Sequence, residues 1–352
     1  MSGTLNPTKF MIEPFFCQDL WESGHFRQFL RYIDMRRFLL LLLVIMFLCS
    51  CSPESEPGFF AIATWNMAEF FDGRDDGTEF PEWSGKSGWN QDKFNERIEK
   101  SVMYILSNLA DADLLVLEEI ESEEVLVAML EKGLKKSGYI YYGLAQTESG
   151  MLSVAFLSRV KPKEVALYSV PSSRPMLSLK MNVNGEDIHI VAVHLRSRLE
   201  EKNDGIRREE LELIASIAGR ETLPLVVLGD FNSDPTIHTS EMAGDRWGNN
   251  GEAIILLTGD GRMAEDGFLY SPYLDYASPL EGGTYFYEGR WEKLDNVLLS
   301  SHFFDGESIE FRETRIVKGS GSADYSGKPI KYSPKSGSGM SDHFALLSYF
   351  SV

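Results

Sequence analysis

Residues 229–241 read GDFNSDPTIHTSE, directly after the apolar run Leu225–Leu228 that Pro224 introduces. A short apolar run rich in valine and leucine, bounded by Pro and Gly, predicts a strand over 224–228 that is buried on both faces. Beyond it, Asp230, Asn232 and Asp234 stand two apart and Glu241 closes the run. This comes close to the calcium loop D-x-[DN]-x-[DN]-G-x₅-E. The sixth position of such a loop needs Gly for a sharp turn, and here it is Pro235, whose φ is locked near about −65°. A strand, not a helix, precedes it. The stretch therefore divides in two. Asp234 and Pro235 form a turn. Asp230 and Asn232, two apart on extended backbone, point the same way and are free to serve a site.

Outward from this strand, strand-like and helix-like segments alternate. Strands are predicted at Phe59–Trp65, Leu114–Leu117, Leu152–Leu157, Leu177–Val183, Ile188–Val193, Asn296–Leu299 and Ala345–Phe350. Asn184-Gly185 between two of them is a strong hairpin signal. Helices are predicted at Lys93–Leu109, where Phe94, Ile98, Val102, Ile105 and Leu109 form one stripe, at Glu123–Lys136, and at Arg207–Ala218. The mixture of hairpins and helices excludes a purely parallel sheet. Gly319–Gly339 is rich in Gly and Ser and carries Lys318, Lys328, Lys331 and Lys335 at or near its ends. It reads as a flexible linker or disordered loop, or as a loop that faces phosphate.

The 352 residues are 43% hydrophobic and 25% charged, enough for a sizeable core and unlike a disordered chain. The net charge of −19 argues against broad basic wrapping of nucleic acid. It leaves room for an enzyme that meets phosphate through a metal ion. Phe38–Leu48 is apolar, follows Arg36-Arg37 and ends in Leu48-Cys49-Ser50-Cys51. It is shorter than the roughly 20 residues that span a bilayer. The layout is that of a secretory signal with a lipobox, in which Cys51 carries the lipid. The alternatives are a buried apolar segment or a short anchor. Residues 35–51 are therefore expected to be a lipoprotein signal, with translation starting at Met35 and residues 1–34 a mis-assigned extension. Residues 52–58 would be a tether and 59–352 the folded domain. Without residues 1–50, which carry five basic and four acidic side chains, the net charge is −20. The cysteines are Cys17, Cys49 and Cys51, so the domain after the tether has no disulfide and must rely on its core.

Polar residues follow the strands in a fixed order. Asn66 ends the first, Glu118-Glu119 follow LLVL, His194 follows IHIVAV, Asp230 and Asn232 follow LVVL, Asp295 sits in KLDNVLL, and Ser341-Asp342-His343 opens the last strand. Strands of a packed sheet deliver such residues to one rim. Taken singly, each is more often a turn residue, a cap or a solvated side chain.

The order N…E…H…GDFN…D…SDH resembles the endonuclease/exonuclease/phosphatase superfamily, which includes the enzymes like deoxyribonuclease I and exonuclease III. The resemblance runs from about Phe59 to Val352. The opening WNMAEFFDGRDDGTEF is similar to that of a bacterial secreted-nuclease branch, and VHLRSR matches that branch in part, with Leu195 and Arg196 replacing Trp and Pro. The resemblance implies an α/β four-layer sandwich, with two mixed β-sheets packed face to face and helices outside. It implies Glu119 as the main metal carboxylate with Asn66 beside it, and Asp342 completing a first or second metal position. His343 would be general base or phosphate ligand, oriented by Asp295. Asp230 would position or deprotonate the water, Asn232 hold a phosphate oxygen, and His194 donate to the phosphate or leaving group. Arg174, in SSRPMLSLKM, would take the place of the family's Arg or Tyr before the central hairpin. Two departures stand out: Glu118 where the family often has Gln, and Asn296 where an aromatic is common.

These residue types suit phosphodiester hydrolysis, which builds negative charge that a cation and fixed donors must meet. Hard oxygen ligands favour Mg²⁺ or Mn²⁺. The expected activity is a metal-dependent nuclease that cleaves DNA or RNA, acting as a monomer held outside the cytoplasm on a bacterial membrane by the lipid at Cys51, or secreted. A phosphatase or sphingomyelinase-like phosphodiesterase is the rival. The 5-phosphatase branch is disfavoured, because no P-x-W-x-D-R motif occurs and Val227 precedes Leu228-Gly229. A non-catalytic surface lipoprotein would have no need of this set of polar residues.

Overall fold

The computed structural model describes residues 58–77, 79–146, 152–198, 203–238, 256–263, 268–307 and 309–352. Its first sheet runs, edge to edge, β14 (Glu310–Val317), β15 (Ala345–Ser351), β1 (Phe59–Phe70), β2 (Leu114–Ile120), β4 (Ser153–Ser158) and β3 (Tyr141–Leu144). The second runs β5 (Pro162–Tyr168), β6 (Met176–Val183), β7 (Glu186–His194), β8 (Leu225–Asp230), β13 (Asp295–Leu299), β10 (Phe268–Tyr270) and β9 (Leu256–Thr258). Both are mixed: β1 pairs parallel with β2 and β7 parallel with β8, while β15 and β13 run antiparallel to them. A small hairpin, β11 (Tyr285–Tyr287) and β12 (Arg290–Glu292), stands apart.

The period of two along the strands sorts side chains into three cores. Phe60, Ile62, Val116 and Phe156 of the first sheet meet Leu179, Ile190, Val226 and Leu228 of the second. On the first sheet's other face, Ala63, Trp65 and Leu117 pack with Ile98 and Ile105 of α1 (Gln91–Asn108) and Met129 of α2 (Glu123–Lys132). On the second sheet's other face, Val191, Val193, Leu225 and Val227 pack with Leu211 and Ile214 of α3 (Asn203–Ala218). The result is the expected helix–sheet–sheet–helix sandwich. Leu225–Leu228 are essentially free of water, and each contributes about 1.5–3 kcal/mol of burial.

Local chemistry sets the ends. Asn90 caps α1, its Oδ1 accepting the Asp92 and Lys93 amides. The predicted helix 123–136 breaks at Gly133, so that α2 stops at Lys132 and a 3₁₀ turn spans Leu134–Ser137. Asn184 (φ 49°) and Gly185 (φ 103°) make the expected hairpin turn. Gly319–Gly339 is an ordered run of turns. Ile330 N–H donates to Ser322 O at 2.9 Å, and Met340 N–H to Ile330 O at 2.8 Å. Asp324 Oδ1 accepts from the Lys328 amide at 2.9 Å. The segments read as extension, signal, lipidated Cys51 and tether, and also Glu241, lie outside the described residues, apart from Gly58 at the end of the tether.

Candidate active site

Register explains how residues far apart in sequence meet. In the second sheet Asp230 is paired on one side with His194 and on the other with Asp295. In the first sheet Asn66 lies opposite Glu118, and the ladder shifts register between Asn66 and Phe70. His343 is the residue that leads into β15, antiparallel to β1. Glu119, Arg174, His194, Asp230, Asn232, Asp342 and His343 line one pocket. Asn66 and Asp295 stand behind it, each bonded to a lining residue.

Asp295 Oδ2 lies 2.8 Å from His343 Nδ1, and both side chains are buried. Burial by itself would lower the imidazole, but the Asp295 carboxylate, with Asp230 and Asp342 nearby, holds His343 well above the usual histidine range. Burial, reinforced by Asp295, pushes Asp230 up to about 7. Burial, reinforced by Arg174, drives His194 well below its ordinary value, so that it is neutral. Its Nε2 lies 3.7 Å from both Glu119 Oε1 and Asp230 Oδ2.

Asn66 ties two carboxylates together. Its Nδ2 donates to Asp230 Oδ2 at 3.0 Å and to Glu119 Oε1 at 3.3 Å, and its Oδ1 accepts the Ala68 amide at 3.0 Å. Asn66 thus donates towards the acidic cluster, where a metal ligand would offer its oxygen. Glu119 Oε2 accepts the Glu69 amide at 2.6 Å. Ala68, Glu69, Glu119 and Asn232 all have positive φ, 50–63°, a strained conformation that concentrates at functional sites. Asn232 donates through Nδ2 to Leu195 O at 2.9 Å, and its amide donates to Asp230 Oδ1 at 2.8 Å.

Glu118 is not among the residues that line the pocket. It is fully buried, accepts from Thr64 Oγ1 at 2.6 Å, and burial raises it well above the carboxylate range, so it is uncharged. Asn296, the other departure, is buried and accepts from Ser271 Oγ at 3.1 Å.

The sequence reading gave no site role to five contributors. Glu69 and Lys331 line the pocket, with Lys331 Nζ 3.0 Å from Glu69 Oε1 and 3.8 Å from Asp342 Oδ2. Only the lysines around Gly319–Gly339 hinted at this, and Glu69 reaches the site because of the register shift after Asn66. Arg97 donates to the carbonyls of Met67, Ala68 and Glu69. Its guanidinium lies 4.1 Å from the Phe70 ring centroid and 4.4 Å from that of Tyr332. It thereby holds the strained backbone under Glu119. Tyr285 packs on His343 with centroids 4.7 Å apart, and Tyr287 stacks on Tyr285 at 6.2 Å, giving the pocket an aromatic wall.

The donor set fits a divalent cation. Burial, with Asp342 adding repulsion, raises Glu119, and Asp295 Oδ1 is buried without a hydrogen-bond partner. Ligand atoms of Asp230, Asp295 and His343 lie within 4.8 Å of one another. In that trio the Asp295–His343 hydrogen bond already uses one atom of each, so it reads as a dyad beside a carboxylate. Glu119 and Asp342 are further carboxylates of the pocket lining.

The Endonuclease/Exonuclease/phosphatase family profile matches residues 61–351. Among solved structures, D. rerio TDP2 complexed with single strand DNA product is similar at TM-score 0.54 and 14% identity, over 84% of this chain and 100% of that one. Truncated Caenorhabditis elegans TDP2 is similar at TM-score 0.51 and 13% identity, over 84% and 98%. A protein of the same family from Bacteroides thetaiotaomicron is similar at TM-score 0.50 and 15% identity, over 84% and 98%. No curated protein matches.

Proposed function

Because the chain belongs to the endonuclease/exonuclease/phosphatase family, whose members hydrolyse phosphoester bonds, we propose that it is a Mg²⁺- or Mn²⁺-dependent phosphodiesterase cleaving DNA or RNA strands. The observation that carries this reading is the separation of charge states inside one pocket. Asp230 is pushed up to about 7 while His343, 2.8 Å from Asp295, is held as an imidazolium. A carboxyl poised near neutrality beside a protonated imidazole can divide base and acid work. Asp230 takes a proton from the attacking water. His343 donates to the phosphate, and neutral His194 and Asn232 hold its oxygens. Arg174, next to Glu119, supplies fixed positive charge. Glu119 and Asp342 would hold the metal ion, which supplies charge neutralisation at the phosphate oxygens.

A nucleic acid strand is favoured by the wall of Tyr285 and Tyr287, on which unpaired bases can stack. D. rerio TDP2, of the same fold, has been solved with a single strand DNA product. The lipobox reading adds a membrane anchor at Cys51, placing the enzyme outside the cytoplasm. The test is a panel with Mg²⁺ or Mn²⁺: plasmid DNA, single-stranded DNA, RNA, sphingomyelin and inositol phosphates. Degradation of nucleic acid that stops with EDTA is expected. Robust sphingomyelin hydrolysis beside inert nucleic acid would overturn the nuclease assignment. Radiolabelled fatty acid incorporation, lost in Cys51→Ala, tests the anchor.

A further inference from the structure

Lys331 enters an acid-rich pocket from a loop the catalytic roles leave unused. Of the four lysines in or beside Gly319–Gly339, Lys331 alone lines the pocket; Lys318 lies over Trp291 and Phe344, and Lys328 over Phe286. Its backbone is firmly placed. Tyr332 is buried and stacks on Trp83 with centroids 5.9 Å apart and planes 15° apart. A Cβ on Gly339 would come within 2.3 Å of the Lys331 carbonyl. The partner Glu69 is fixed too: its Oε2 accepts the Trp83 indole N–H at 3.0 Å, and its amide donates to Glu119. The ammonium therefore reaches the pocket wall, 3.0 Å from Glu69 Oε1.

Resting on the hydrolase reading above, we propose that Lys331 contacts the substrate phosphate directly. Two cations share the acidic cluster: Arg174 acts on Glu119 and Asp230, and Lys331 on Asp342, Glu69 and also Glu119. A phosphodiester arriving at the acidic cluster thus meets fixed positive charge from both. This matters in a chain whose net charge of −19 argues against a broad basic surface for the substrate. At 3.8 Å from Asp342 Oδ2, Lys331 is too far for a hydrogen bond and near enough to compete with a divalent cation for that carboxylate. One positive charge facing both ligands has opposite consequences for them: it attracts the phosphate and repels the metal.

The test measures both ligands on the same variants. Inorganic phosphate binding to the Mn²⁺-loaded protein and Mn²⁺ binding itself are followed by calorimetry, and KM by turnover of an oligonucleotide. Lys331→Ala is expected to weaken phosphate and raise KM by about tenfold, and to tighten Mn²⁺ severalfold, as one charge a few ångström away would. Lys331→Arg should retain wild-type behaviour for both. Weakening of both ligands would assign Lys331 to loop structure and overturn the proposal, as would unchanged phosphate binding. If the wild type hydrolyses none of the substrates yet phosphate and Mn²⁺ respond in opposite directions, the hydrolase reading fails and the Lys331 contact stands.

Discussion

Asp295 Oδ2 accepts the proton of His343 Nδ1 across 2.8 Å, while its second oxygen has no hydrogen-bond partner and both side chains are buried. The pair therefore works through charge as well as geometry. Asp295→Asn keeps an acceptor and removes the charge. We expect His343 to titrate at lower pH and hydrolysis to fall by about 10²–10⁴-fold, the range of one acid–base contribution. An NMR titration of the His343 ring reads the first effect, and an unchanged midpoint would rule out the charge role.

Asp230 binds its proton more tightly folded than unfolded, because burial and Asp295 push it up to about 7. For a carboxyl raised in this way, metal-free stability falls as pH climbs from about 4 to about 7, then levels off. Asp230→Asn should raise the melting temperature of the metal-free protein at pH 8 and leave it unchanged at pH 4. A cation held nearby by Glu119 and Asp342 would favour the ionised form of Asp230, so Mn²⁺ binding should release protons near pH 6 and strengthen towards neutrality. Calorimetry in buffers of different ionisation enthalpy checks this.

Glu118 is uncharged, accepts from Thr64 and is not among the residues that line the pocket. Glu118→Gln should leave hydrolysis within about threefold, since it removes no charge at neutral pH. Stability should rise at alkaline pH, where the native carboxyl is forced towards ionisation. A large loss of activity would mean that this carboxyl acts on the reaction after all.

Gly229 has φ 131°, and a Cβ there would lie 2.0 Å from the Val193 carbonyl of the neighbouring parallel strand. Gly229→Ala should cost more than the roughly 1 kcal/mol of an ordinary Gly–Ala difference, because backbone must separate. Chemical denaturation measures it. A wild-type midpoint would show that β7 and β8 can part without loss.

Arg97 is completely buried, and burial lowers it to about 9 despite the aromatic rings and acidic residues around it. Three carbonyls of the strained segment end on its guanidinium. Arg97→Lys cannot reproduce that planar fork, and we expect about 2–4 kcal/mol of destabilisation. Equal stability in the lysine variant would argue against the clamp.

Much of the frame was legible because burial on both faces leaves a strong pattern. Leu225–Leu228, Ile188–Val193 and the stripe of α1 stood out in the chain as they do in the fold. Seven strands did not, the three-residue hairpin strands β11 and β12 among them. The short β3, β9 and β10 have three or four residues, too few to show a period. β5 (PKEVALY) and the edge strand β14 (EFRETRIV) carry charges that read as loop. Helix boundaries were less clear still, since Gly133 ends α2 only in the context of the turn that follows.

From its residues alone, this protein's longer strands and helices and a set of polar residues at strand ends could be read, and the family resemblance implied the sandwich. Apolar periodicity is a local property, and Asn, Glu, His and Asp at strand ends keep their chemistry wherever the strands go. Which atoms meet is a property of register. The shift after Asn66 brings Glu69 to the pocket and turns the Asn66 amide onto two carboxylates. Pairing of Asp230 with both His194 and Asp295 sets the spacing of the dyad. Lys331 reaches Glu69 across 262 residues of sequence because Tyr332 is buried against Trp83 and Arg97. Charge states depend on such distances and on burial, so only the tertiary structure could decide that, within one acidic pocket, His343 is charged, His194 neutral and Asp230 poised near 7.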